Sequence, residues 1–309
     1  MKKNIKYLLL FITPIVLFSY SIDLFISKYL KKSNVTAIGE YSVWNDVFDG
    51  KINSDVVIYG SSRAWVHISP KILSNRLDFS IYNLGINGHN FCLQYLRHKE
   101  LLKFNMKPKL IILSLDYLTL EKQKDLYNSD QFLPYMLWNN DIKEATISYN
   151  GFSFLDYQIP LVRYYGQLQS IYTANSIFIN CAKNPLVRIK GYEGAKKTWN
   201  GDFDKAKLTM KNYEIKCDSV NVALFKKFLN ECKSKDIKLI FVYTPEYIEG
   251  QRFIKNRTQL MGIYKKFSEQ YKIPFYDYSN DSICYQKKYF YNAGHMNDKG
   301  AELFTKKFA

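Results

Sequence analysis

The residues best suited to chemistry fall in three short runs. Gly60-Ser61-Ser62-Arg63 follows a short apolar stretch and precedes a helical pattern. A serine on such a sharp strand-to-helix turn is exposed at the carboxyl end of a sheet, where a helix N-terminus also stabilises negative charge. The glycine suits a tight turn and a close approach of backbone to substrate. Asn83-Leu84-Gly85-Ile86-Asn87-Gly88 follows a second apolar stretch. A glycine there can aim its N–H at a developing oxyanion with no side chain in the way, although ordinary turns favour Gly and Asn as well. Near the C-terminus, Tyr291-Asn292-Ala293-Gly294-His295-Met296-Asn297 sets a histidine in a loop before a helix that Asn297 can cap. A serine and a histidine so far apart become nucleophile and base only if the fold joins them.

The elements that must do so are legible as an alternation. Apolar runs at 55–59, 79–84, 110–115, 237–243 and 274–278 read as strands, the first as one buried on both faces. Helical patterns lie at about 90–104, 219–234, 253–271 and 297–308. Strands alternating with helices predict a parallel α/β sheet. Residues 118–215, rich in Tyr, Asn and Lys, break the rhythm between the third and fourth strands. They read as an insertion that either walls the substrate or is a solvated elaboration.

Taken in order, a Gly-x-Ser turn, Asn-x-Gly-x-x-Gly and a terminal His-x-Asn-x-x-Gly-Ala resemble the SGNH (GDSL-type) hydrolase superfamily. The resemblance is greatest to its membrane-anchored branch, near bacterial surface-polysaccharide O-acetylation enzymes and the D-alanine transfer protein of teichoic acid modification. It covers about residues 53–116 and 236–309. It implies Ser62 as nucleophile, His295 as general base, and an oxyanion hole from the N–H groups of Ser62 and Gly85. Two positions depart from the family pattern. Asn292 stands where an Asp usually precedes the histidine, and Asp116 stands near where an Asn usually serves the oxyanion. An Asn carbonyl oxygen can still orient an imidazole, but without full charge; Asp277 and Asp281 are the alternatives by chain position. A carboxylate about 4 Å from an oxyanion repels it by a few kcal/mol at an effective dielectric near 20, so Asp116 is expected to face elsewhere and Asn87 to donate instead. Arg63, His89 and Asn90 flank the expected pocket as substrate-binding candidates, or as surface and capping residues.

Composition narrows the setting. The 309 residues carry 44 Lys and Arg against 28 Asp and Glu, a net charge of +16. The lysines are scattered and no basic-aromatic motif accompanies them, which argues against nucleic acid and leaves room for an anionic lipid or acidic glycan. Cys92, Cys181, Cys217, Cys232 and Cys284 show no CxxC spacing, so no metal site is suggested and mostly free, buried thiols are expected, with one disulfide as the alternative outside the cytoplasm; no cofactor is expected. Lys2, Lys3 and Lys6 precede an uncharged stretch of 16 residues from Tyr7 to Ile22, followed by Asp23. This is slightly short of the ~20 residues of a spanning helix, yet it fits a signal-anchor with Lys6 snorkelling and Asp23 at the interface. A cleaved signal peptide and a buried soluble helix are the alternatives. The leading lysines favour an inside N-terminus, with Lys31 and Lys32 beyond the span acting against it, so the remainder is expected outside the cytoplasm.

The expected organisation is an anchor at 1–29, a stalk at 30–52, and a domain at 53–309 with its insertion at about 118–215. The expected fold is a doubly wound, flavodoxin-like α/β domain. The expected chemistry is serine-nucleophile acyl transfer on an extracytoplasmic glycan, as O-acetylesterase or O-acyltransferase. A transferase would need an acyl donor or a membrane acyltransferase partner. The alternatives are a catalytically weak protein that binds glycan or assists polysaccharide assembly, and a lipid esterase or thioesterase.

Overall fold

The computed structural model describes residues 2–32, 40–88, 90–121, 123–180 and 188–309. In chain order the elements are α1 (Lys2–Leu30), α2 (Glu40–Phe48), β1 (Val56–Tyr59), α3 (Ser62–His67), α4 (Pro70–Leu77), β2 (Ile81–Asn83), α5 (Phe91–Phe104) and β3 (Leu110–Leu115). There follow α6 (Asn140–Thr146), α7 (Leu168–Phe178), α8 (Asp202–Thr209), α9 (Ser219–Ser234), β4 (Lys238–Tyr243), α10 (Ile248–Phe253) and α11 (Arg257–Tyr271). The chain ends with β5 (Phe275–Asp277), β6 (Phe290–Asn292), β7 (His295–Met296) and α12 (Asp298–Phe308). Two compact units form, one from 1–45 with 124–187, the other from 46–123 with 188–309.

The second unit is built on a parallel five-stranded sheet of order β2-β1-β3-β4-β5, the flavodoxin-like order. Val56 lies opposite both Ile81 and Leu110, and β3 pairs with β4 from Leu110↔Lys238 to Leu115↔Tyr243. Val-Val-Ile-Tyr in β1 is buried throughout, as a strand covered on both faces must be. Alternation divides its side chains. Val56 and Ile58 join Ile112, Val242, Ala64, Ile68 and Phe304 in one core layer. On the other face Tyr59 lies against Phe228, and Phe91, Phe225 and Phe241 continue an aromatic layer. Helices cover both faces, with α12 packed on α3 and α4, and α5 on α9. Such a sheet is doubly wound, as the alternation predicts.

The first unit gathers α1 with α6 and α7. Asp23, Ile26, Ser27 and Leu30 are buried, a spacing that aligns them on one helix face. Asp23 pairs with the buried Arg163 at 2.7 Å and accepts the Leu161 N–H at 2.7 Å. The 30–52 stretch, expected as a stalk, instead contains α2, whose Tyr41, Val43, Trp44 and Val47 are buried. Trp44 explains part of the difference, since its indole donates to Gln131 at 2.8 Å and its ring meets Phe132. The expected insertion likewise divides, 124–187 joining α1 and 188–215 belonging with the sheet. Within α1, Leu10–Leu30 is long and apolar enough to cross a membrane by length and composition, a property anchors and signal sequences share.

Candidate active site

β1 ends at Tyr59 and is followed by Gly60, whose φ is +143°, a conformation open mainly to glycine. An added Cβ would also lie 2.6 Å from the Ser114 carbonyl oxygen. This turn releases the chain into α3 beside the carboxyl ends of β1 and β3, the neighbouring strands at which the winding reverses. Ser61 caps α3, accepting the Arg63 N–H at 3.2 Å. Ser62 is the first helical residue, so its N–H is one of those an α-helix leaves without an internal partner. The following loop lies alongside, the Ile86 N–H donating to the Gly60 carbonyl at 2.9 Å.

His295 arrives on the short hairpin of β6 and β7. Its Nε2 lies 2.7 Å from Ser62 Oγ, and its Nδ1 lies 2.9 Å from Asn292 Oδ1. Because an amide oxygen only accepts, Nδ1 carries the ring proton and Nε2 is left to accept from the serine. Asn292 Oδ1 also takes the Gly294 N–H at 3.0 Å, which holds the amide in that orientation. Burial, and then the positive charges of Arg63 and Lys197, lower the His295 pKa from 6.5 to about 3. The imidazole is therefore neutral near neutral pH. The Tyr291 ring stacks on it at 5.4 Å, with Lys197 over that tyrosine.

Asp277 and Asp281 are engaged elsewhere. Asp277 accepts the Ser279 N–H, and Asp281 accepts the Ile283 N–H and pairs with Lys307. Asp116 is buried and its carboxylate is held by neighbouring donors. Its carboxylate accepts the Ser61 hydroxyl and, at 2.8 Å, the Leu118 N–H.

Three expected roles differ from what the geometry offers. The Gly85 N–H does not point into open space, because it donates to Asn83 Oδ1 at 2.9 Å. The same Asn83 side chain donates to the carbonyls of Ala64 and Ile68, stapling α3 to the end of β2. Gly85 is required here for close packing, since a Cβ would lie 2.5 Å from the Trp65 nitrogen. Arg63 is not a surface group waiting for substrate. It is 2% exposed, pairs with Glu246 at 3.4 Å, and donates to the carbonyl and hydroxyl of Thr244. Burial works against its charge, but Glu246 and Tyr243 outweigh it and raise its pKa. Asn90 is buried as the N-cap residue of α5 rather than open to a ligand. Asn87 is half-buried in the turn after β2. His89 lies outside the described residues.

One group of side chains was not singled out from the sequence. His67, at the end of α3, accepts the Met296 N–H on Nε2 at 2.9 Å, so its proton sits on Nδ1 and is donated to Thr244 Oγ1 at 2.7 Å. Burial, then Arg63 and His295, keep its pKa well below the ordinary value. The available signal was a second histidine on the helix that begins at the candidate nucleophile. Four cysteines, Cys92, Cys217, Cys232 and Cys284, are free thiols, and Cys181 lies outside the described residues. Among the described residues no cluster of His, Cys, Asp and Glu could hold a metal ion.

No protein-family model matches the chain, and no curated protein does. Among solved structures it is similar to a GDSL-like lipase from Bacteroides thetaiotaomicron, with 13% identity, 82% of this chain and 86% of that one covered, and a TM-score of 0.37. It is also similar to a candidate acylhydrolase from Bacteroides fragilis, with 15% identity, 82% and 85% covered, and a TM-score of 0.33. Neither likeness is close enough to transfer an activity.

Proposed function

We propose that this chain is a serine-nucleophile acyl-transfer enzyme of SGNH type, held to a membrane by α1, with its sheet-containing unit outside the cytoplasm. The observation that carries the reading is the relay Ser62 Oγ···His295 Nε2 at 2.7 Å and His295 Nδ1···Asn292 Oδ1 at 2.9 Å. In the proposed reaction Ser62 Oγ bonds to the carbonyl carbon of an ester while its proton passes to His295 Nε2. The ester C–O bond then breaks, and the imidazolium returns that proton to the departing alkoxide, leaving an acyl-serine. Water then attacks the acyl carbon to give an esterase, or a sugar hydroxyl attacks it to give an O-acyltransferase; His295 Nε2 takes the attacking group's proton, the acyl–Oγ bond breaks, and His295 returns the proton to Ser62 Oγ.

A glycan O-acetyl ester is the substrate class this reading favours. Tyr291 and Lys197 beside His295 suit a hydroxylated or anionic sugar better than a long acyl chain. The Ser62 N–H is the oxyanion donor the helix start supplies. A second reading is a weakly active or inactive glycan-binding or assembly protein. It is favoured by the neutral Asn292 and by the Gly85 N–H being spent on Asn83.

A serine-reactive fluorophosphonate applied to the full chain, with Ser62→Ala beside it, tests the choice. Labelling at Ser62 that vanishes in the variant supports acyl transfer. A folded protein that does not label supports the binding reading.

A further inference from the structure

The helix α1 changes character along its length. From Leu10 to Phe18 its large apolar side chains Leu10, Phe11, Ile12, Ile15, Val16, Leu17 and Phe18 are exposed in every direction. A helix apolar on all sides belongs in lipid or in a protein core. From Ser19 onward it enters the first unit, and by Asp23 one face is wholly buried. In sequence the apolar stretch that precedes this entry, Tyr7 to Phe18, rises only about 18 Å, against a hydrocarbon core of about 30 Å.

The surface around that entry point is itself apolar. Trp138, Phe154, Leu155, Ile159, Phe178 and Ile179 are each between 45% and 59% exposed. Their level on the helix is set by contacts. The Trp138 ring lies 5.7 Å from Tyr20, its backbone N–H bonds Tyr157, and its indole N–H donates to the Gln158 carbonyl at 2.9 Å. The 3₁₀ turn 154–157 carries Phe154 and Leu155 beside it, and the chain runs on through Ile159 to the Leu161 N–H on Asp23. On the other side Phe178 packs on Phe25 and Tyr29. Lys28 lies at this level and Lys31 and Lys32 follow it, with Lys32 over the Tyr29 ring at 4.5 Å.

Resting on the reading that α1 crosses a membrane, we infer that residues 138–179 of the first unit form a collar seated in the lipid interface around α1. Immersing it to the level of Asp23 adds about 8 Å of helix to those 18 Å, which brings the span close to the hydrocarbon thickness. That depth lies within the about 5–10 Å that interfacial apolar faces reach. The Asp23–Arg163 pair is then shielded by protein rather than exposed to lipid, and the lysines meet the headgroups. The continuity of the patch with the all-apolar stretch of the same helix selects lipid as its occupant.

The full chain in phosphatidylcholine–phosphatidylglycerol vesicles provides the test. An environment-sensitive fluorophore is placed, one site at a time, by Leu17→Cys, Leu155→Cys, Ile159→Cys or Leu208→Cys, on a Cys217→Ser background because Cys217 is exposed. Leu208 is 88% exposed on α8, and its label read without vesicles gives the emission of a site in water. The expected result is blue-shifted emission at positions 155 and 159, lost on adding nitroxide lipid as at position 17. Water-like emission at 155 and 159 with quenching at 17 would show a spanning helix with its unit held off the bilayer, and the collar would be wrong. A blue shift without lipid quenching would mean that protein covers the patch, and it too overturns the inference. No quenching at 17 overturns the anchor and the collar together. Fluorophosphonate labelling of Ser62 on the same samples reports separately on the acyl-transfer reading.

Discussion

The backbone N–H of Met296 donates to Nε2 of His67 at 2.9 Å, tying the loop that carries His295 to the helix that begins with Ser62. His67 is thus a positioning residue, braced in turn by Thr244 and the Arg63–Glu246 pair. His67→Leu leaves the Met296 N–H buried without a partner, which costs about 1–3 kcal/mol. Thermal unfolding should shift downward accordingly. In an active enzyme kcat should fall more than KM rises, and His67→Gln, which keeps an acceptor, should recover part of the loss.

Asn292 holds the imidazole by a neutral oxygen. The reverse exchange in serine protease triads, Asp to Asn, costs about 10⁴ in turnover. Asn292→Asp should therefore raise the rate of fluorophosphonate labelling at Ser62 by about tenfold or more, again on the triad precedent. Asn292→Ala should lower it, because the ring loses its anchor on Nδ1. Stopped-time labelling of the three proteins side by side decides the matter.

Acid should affect stability before it affects the base. With the folded-state pKa of His295 lowered from 6.5 to about 3, the ring remains unprotonated well below pH 6.5, so the acid limb of a rate profile should fall below that value. His98 is lowered to about 3 by burial and then Lys235, and His67 is lowered as well. Below pH 6.5 the unfolded chain binds protons at these histidines that the folded chain does not. Stability should therefore decline as pH falls from about 6.5 toward 3, and denaturant titrations across that window would show it.

Two glycines give opposite expectations. Gly85→Ala places a Cβ 2.5 Å from the Trp65 nitrogen, a backbone atom that cannot swing away. It should destabilise by about 1–3 kcal/mol, as overpacking does. Gly262, inside α11, has nothing within 4 Å of its Cβ position. Gly262→Ala should stabilise by about 0.5–1 kcal/mol through helix propensity alone. Paired melting curves separate the two.

Arg163→Met removes the partner of a buried carboxylate. Leaving Asp23 alone should cost about 3–5 kcal/mol, and adding Asp23→Asn should restore part of it. Protease resistance of the first unit in detergent would report both changes.

The amino-acid sequence by itself determined the sheet and the order of its strands' supporting helices. Short continuous apolar runs such as Val56–Tyr59 and Leu110–Leu115, alternating with the helical patterns at 219–234 and 297–308, pointed to strands buried on both faces between helices. Ser62, His295 and Asn292 were marked as candidates by the order of three short motifs and the family those motifs resemble, since each motif alone is an ordinary turn or a lone histidine. What each side chain faces was not local. Gly85 N–H meets Asn83, Arg63 meets Glu246 across 183 positions, and His67 meets Met296 across 229. Those pairings depend on which helices pack over the ends of which strands. The same holds for Asp23 and Arg163, 140 positions apart, whose bond joins α1 to the inserted segment. Burial decided these contacts, since a charged or polar group removed from water must find a partner, and only the packed chain shows which one is within reach.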